Sequence, residues 1–195
     1  MKIAFYGSSL LSSWWNGAAT YYRGLLRDLA SRGYDITFYE PDAFERQQHR
    51  DMEPPEWARS VVYPATQEGL NYVLREARAA DIVVKASGVG AFDDELIAGI
   101  IQHSRSDALR IFWDVDAAAT LEEMRAHESH AVRRALPHLD MVLTYGGGPP
   151  VVQAYEGFGA ATCIPIYNAL DPTTHHPVAP DDRFTADLSF LGNRL

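Results

Sequence analysis

Hydrophobic positions fall into two alternating kinds of run along this chain. Short, continuously apolar stretches occur at 2–6 (KIAFY), 35–39 (DITFY), 60–63 (SVVY), 81–86 (DIVVKA), 109–114 (LRIFWD), 140–145 (DMVLTY) and 161–167 (ATCIPIY). Such runs predict strands buried on both faces of a parallel sheet. Longer amphipathic stretches separate them. Asn16 is placed to cap a helix striped by Tyr21, Tyr22, Leu25, Leu26 and Leu29, with Gly33 as its stop. Thr66 is placed to cap a helix carrying Leu70, Val73 and Leu74, and Asp93 one carrying Leu96, Ile97, Ile100 and Ile101. Pro149 and Pro150 suit the first turn of a helix with Val151, Val152 and Tyr155. The alternation predicts an α/β fold, a Rossmann-like doubly wound parallel sheet of about seven strands with helices on both faces.

Ligands of such sheets sit at the carboxyl ends of the strands, so the loops there hold the candidate chemistry. The first is GSSLLSSWWNG, residues 7–17, which offers Gly7, Ser8, Ser9, Asn16 and Gly17 for binding. Backbone N–H groups at a helix start can hold an anion. Read plainly it is an ordinary connection, with Trp14 and Trp15 as packing or lid residues. It is not G-x-G-x-x-G, because the glycine after Gly7 is Gly17; a dinucleotide fingerprint is therefore absent.

The fourth strand ends in Lys85, Ser87 and Gly88. A lysine inside an apolar run must find a partner, a ligand anion or water. The fifth ends in Asp114-Val115-Asp116. Two carboxylates two apart on an extended segment point the same way and could act as a base, hold Mg²⁺ or Mn²⁺, or cap the following helix. The sixth ends in Tyr145, Gly146 and Gly147, where glycines let a ligand approach the backbone. Cys163 reads as a core residue. His175 and His176 are adjacent, so they make a poor bidentate metal pair. G-x-S-x-G, H-E-x-x-H and the P-loop pattern are absent.

Composition narrows the classes. The 195 residues carry a formal net charge of −9, which disfavours nucleic acid and anionic membrane surfaces as partners. A single cysteine excludes an intrachain disulfide and a Cys-rich metal site, and makes the cytoplasm the simplest compartment. No apolar run approaches the length that spans a bilayer. After residue 171 periodicity stops. The reading is a Rossmann-like domain at 1–171, a linker at 172–186 rich in Pro and Asp, and at 187–195 the first strand of a second, truncated domain.

Laid out in this order, the segments resemble the amino-terminal half of a GT-B glycosyltransferase of the family 4 kind. NGAATYYRGLLRDLASRGYDITFYEP is similar to that family's opening helix and its "rGHeVt"-like turn. LDMVLTYGGGPPVVQAYEGFG and IPIYNALDPTTHHP resemble the "aD.vi" and "NGvD" stretches that close its first domain, and SFLGNRL the "F.Grl" strand that opens its second. FWDVDAAATL and TYGGGPP are similar to the CgeB-like spore-maturation group. The chain departs in having Asp114 and Asp116 where family 4 usually has a histidine, and Asn168-Ala169-Leu170-Asp171 for N-G-V-D.

The resemblance implies the acceptor-side domain of an enzyme that moves a sugar from a nucleotide sugar to an acceptor. It implies Asp114 or Asp116 as the catalytic carboxylate and adds Asn168 to the binding residues. No resident cofactor or essential metal is implied, and this chain alone is expected not to turn over. Self-association through the face left by a missing second domain is a further expectation. Two rivals stay open. One is a stand-alone Rossmann-like module that binds a sugar or nucleotide without chemistry. The other is a dinucleotide oxidoreductase or epimerase, which the absent fingerprint disfavours.

Overall fold

The computed structural model describes residues 1–190. Its strands are β1 (Lys2–Tyr6), β2 (Asp35–Asp42), β3 (Arg59–Pro64), β4 (Ile82–Ala86), β5 (Leu109–Asp114), β6 (Met141–Thr144) and β7 (Cys163–Pro165). Its helices are α1 (Ala18–Ser31), α2 (Gln67–Glu76), α3 (Asp93–His103), α4 (Ala117–Ala126), α5 (Ala131–Ala135) and α6 (Gly148–Gly157). All seven strands join one sheet in the order β3-β2-β1-β4-β5-β6-β7, and every pairing is parallel. The expected α/β, Rossmann-like architecture is the one observed.

Strand alternation divides the core in two. Ala4, Tyr6, Val83, Phe112 and Val142 face the layer built from α2 to α6. Ile3, Phe5, Ile36, Phe38, Val84, Ile111 and Trp113 face α1, whose Tyr22 and Leu26 are buried against them. On this second face Phe5 stacks on Phe38 and meets Tyr22 and Trp113 edge-on.

Two expected caps differ from the observed ones. Thr66 accepts from Gly69 N as expected. Gly17, not Asn16, precedes α1, because the Asn16 amide is turned inward to the loop. Asp93 is the first residue of α3 rather than its cap. Beyond β7 the chain returns to α1, where Arg27 Nη2 donates to both oxygens of Asp171 at 2.7 and 2.6 Å. Residues 172–190 are exposed throughout. The strand expected at 187–195 runs into residues 191–195, which lie outside the described residues. Among the described residues no helix is long and apolar enough to cross a membrane.

Candidate functional site

The sheet order changes direction between β1 and β4: β2 and β3 lie to one side of β1, and the later strands to the other. A crevice forms at such a switch point, between loops that diverge to opposite faces. Here those loops are 7–17 after β1 and 87–92 after β4. Tyr6 and Lys85, the register partners just before them, mark the crevice floor.

Two buried ions that the sequence reading missed hold this crevice in shape. Glu40, on β2 and fully buried, accepts from Ser9 Oγ at 3.0 Å, from the backbone N–H of Leu10, and from Leu11 N at 3.2 Å. Gln47 Nε2 donates at 2.6 Å to Oε1, the oxygen that Ser9 also reaches, while the two backbone N–H groups share Oε2. Arg46, also buried, reaches across the switch point. Its Nη1 donates to Ser8 O at 3.2 Å and to Val89 O at 3.1 Å, tying the two loops together. A buried charge needs such partners to offset its lost hydration. Glu40 had a faint signal: it is a charged residue directly after the apolar run of 35–39. Arg46 had none, because it lies in a polar stretch that the left-handed backbone of Phe44 and Glu45 folds inward.

The first loop is therefore built, not open. Ser8 Oγ donates to Asn16 Oδ1 at 2.8 Å, and Asn16 Nδ2 donates to the carbonyls of Ser9 and Ser12. Ser8, Ser9 and Asn16 are buried, so their side chains position backbone rather than meet a ligand. Gly7 is required for packing: a Cβ there would sit 2.5 Å from Phe38 Cζ. Gly17 is exposed at the helix entrance.

Asp114 and Asp116 have separate fates. Asp114 is fully buried at the end of β5. Its Oδ1 accepts from Ser87 Oγ (2.9 Å), Asp116 N (3.0 Å) and Thr120 Oγ1 (3.1 Å), and its Oδ2 from the hydroxyl of Tyr155. Burial and the neighbouring carboxylate push the Tyr155 phenol far above its ordinary range, so it stays a donor. Asp116 is exposed and caps α4 through one long bond, Ala119 N to Oδ1 at 3.4 Å. The two carboxylates do not converge, and Asp114 has no oxygen to spare, so the pair does not fit a D-x-D metal site. No group of three or more His, Cys, Asp and Glu that could hold a metal ion occurs among the described residues.

Lys85 is likewise spoken for. It is 2% exposed, and its Nζ donates to Asp93 Oδ1 at 2.5 Å. Burial lowers its pKa, with Asp93 opposing that shift. Asp93 also accepts from Val89 N and Gly90 N, so one carboxylate shapes the loop and neutralises the lysine. The expectation that Lys85 faces a ligand anion does not match this pairing. Ser87 joins β4 to β5: it donates to Asp114 and accepts from Val115 N at 2.8 Å. Gly88 is exposed over open space.

The loop after β6 does present bare backbone. Gly146 and Gly147 have φ of +153° and +87°. A Cβ on Gly147 would fall 2.2 Å from Val151 Cγ2, so the turn into α6 admits only glycine. Tyr145 packs edge-on to Tyr21 and Trp113, and burial raises its phenol well above the ordinary range. Asn168 is exposed, two residues beyond Ile166. Cys163 is buried, and burial raises its thiol to about 11.

No family model and no curated protein matches this chain. Solved structures do. The structure of an alpha-glucosyltransferase in complex with UDP-glucose and DNA containing an abasic site matches with TM-score 0.62 and 12% identity, over 89% of this chain and 44% of that one. An alpha-glucosyltransferase in complex with UDP and a 13-mer DNA containing a central A:G mismatch matches with TM-score 0.51 and 11% identity, over 89% and 41%. The structure of BdcA (YjgI) from E. coli matches with TM-score 0.49 and 13% identity, over 85% and 97%. In fold, this chain is similar to part of a glucosyltransferase. It spans less than half of that protein's length.

At the carboxyl edge Gly17, Gly88, Asp116, Gly147 and Asn168 are exposed and Gly146 is half-buried beside Tyr167, while Ser8, Ser9, Asn16, Lys85 and Asp114 lie beneath as support.

Proposed function

We propose that this chain is the acceptor-side half of a glycosyltransferase that uses a nucleotide sugar. The observation that carries the reading is the contrast between Asp114 and Asp116. A fully satisfied buried carboxylate anchors the end of β5, and two residues later an exposed carboxylate stands at the start of α4. That arrangement suits a general base. Asp116 takes the proton from an acceptor hydroxyl as its oxygen attacks the sugar's anomeric carbon, and the nucleoside diphosphate leaves. The glycine loop after β6, on the strand next to β5, leaves room for the reacting groups. The likeness in fold to part of a glucosyltransferase supports this reading, and so does the order of motifs along the chain. Nucleotide sugar enters as substrate; no resident cofactor is invoked.

On this reading the nucleotide is held mainly by a second domain. A thermal-shift comparison tests it. This chain is expected to respond weakly to UDP-glucose and other nucleotide sugars, and the same chain joined to its second domain strongly, by mass action. A strong response of this chain alone overturns the division of labour and makes it a self-sufficient binding module.

A further inference from the structure

We propose that Trp14 and Trp15 form a binding corner for a saccharide ring. The proposal deepens the transferase reading, since it makes the acceptor a sugar, and it rests on that reading only for the role of the bound sugar in transfer. Trp14 is 43% exposed and Trp15 75%, although both lie in the loop that Glu40 and Arg46 hold in place. Their rings meet at 86° with centroids 6.3 Å apart, giving an open right angle of aromatic surface. The inner face of Trp14 is occupied by His49, stacked at 4.1 Å and 21°. Trp15 has φ of +47°, a conformation that costs stability for a bulky residue and that persists only where its surroundings impose it.

The surroundings do impose it. Ser13 donates to Asp51 from both its backbone N and its Oγ. Arg23 clamps the same carboxylate through both terminal nitrogens and holds Leu10 O with Nε. On the other side Asn16 is buried. Trp15 is thus a large apolar side chain held outward by anchored neighbours, beside a cleft of about 840 Å³. Such a volume suits a small ligand.

The occupant follows from the surface. A pyranose has a C–H face and a rim of hydroxyls. The electron-rich face of Trp15 meets the first. Gln48 and Arg50, at the edge of the same cleft, offer donors and an acceptor to the second. A nucleobase would favour a slot between parallel rings, and the perpendicular Trp14 leaves none. A polyanion would meet Asp51, ionised by its Arg23 clamp, on a chain of net charge −9.

The test uses this chain, whose four tryptophans are each expected to give an indole N–H signal in a ¹H–¹⁵N spectrum, assigned by substitution. It is titrated with methyl glucosides, maltose, cellobiose, uridine and AMP. Sugars are expected to move the Trp14 and Trp15 signals and leave that of buried Trp113 in place. Trp15→Ala is expected to weaken sugar binding at least about ten-fold. Trp15→Gly is expected to do the same with an unchanged or higher Tm, since glycine accepts that φ. The proposal is overturned if no sugar moves either signal, if only uridine or AMP does, or if the shifts follow protein concentration alone. The transferase reading fails separately. Sugar binding at Trp15 without transfer by the two-domain protein leaves the platform standing. Transfer whose acceptor KM ignores Trp15→Ala overturns the assignment of the bound sugar as acceptor and leaves the transferase.

Discussion

The Tyr155 hydroxyl on α6 donates to Asp114 Oδ2 at the end of β5, joining the helix that follows β6 to the neighbouring strand. Ser87 brings β4 to the same carboxylate and Thr120 brings α4. Three elements that diverge from the sheet edge are thereby fixed by one side chain. Tyr155→Phe removes a buried donor and leaves Asp114 one partner short, so it is expected to cost about 1–3 kcal/mol in urea unfolding. Thr120→Val, which removes a bond near a partly exposed residue, is expected to cost less. Equal costs would mean that the network does not centre on the buried carboxylate.

Asp116 and Asp114 are expected to separate function from stability. Asn caps a helix about as well as Asp, so Asp116→Asn should leave unfolding within about 0.5 kcal/mol of the parent. In the two-domain protein it is expected to lower sugar transfer by about 10²–10⁴-fold, the usual contribution of a general base. Asp114→Asn reverses the balance: one oxygen becomes a donor facing the hydroxyls of its partners, and unfolding moves first. Wild-type transfer by Asp116→Asn would remove the carboxylate from the mechanism.

The Lys85–Asp93 pair predicts an asymmetry. Asp93→Ala strands an ammonium that is 2% exposed and also strips Val89 N and Gly90 N of their acceptor. Removing one partner of a buried pair in this way is expected to cost about 3 kcal/mol or more. Lys85→Met keeps the aliphatic stem and leaves a partly exposed Asp93 with its backbone donors, so about 1 kcal/mol is expected. Chemical denaturation of the two variants checks the order, and a costlier Lys85→Met would contradict it.

Much of this fold is legible in the chain, because each of the seven strands lies within or beside a short apolar run, though the edge strands β3 and β7 are only partly buried. The runs at 2–6 and 109–114 coincide with β1 and β5 residue for residue. β7 is shorter than its run of 161–167, covering only Cys163–Pro165. The site was harder to read, because a polar side chain near a strand end looks the same whether it meets a ligand or a neighbour. Ser8, Ser9, Asn16 and Lys85 each found a neighbour. Asn16 lost its capping role because carbonyls of its own loop, at Ser9 and Ser12, took its amide. Tyr155 looked like one more apolar residue of α6, and its hydroxyl became meaningful only when the fold set it against Asp114, 41 residues away. Alternation records burial along one strand. It does not record which distant residue completes a hydrogen bond.

Asp51 gives a prediction in pH. Hydrogen bonds from Arg23, helped by Ser13, hold its carboxyl down at about 2, against an ordinary value of about 4. A carboxyl depressed in the folded state contributes stability that is fully present above its unfolded pKa and is lost as pH falls through the folded one. The contribution should therefore be complete above about pH 4 and gone near pH 2. With the carboxylate side chain 41% exposed, solvent screening limits it to under about 1 kcal/mol. Urea unfolding of the parent and of Asp51→Asn, repeated across this range, is expected to show a gap that closes as the solution is acidified. A gap constant with pH would mean that Asp51 acts through the shape of the Ser13 turn rather than through its charge. The same acidification is expected to loosen the loop that carries Trp14 and Trp15, because Asp51 is the group that Ser13 and Arg23 share.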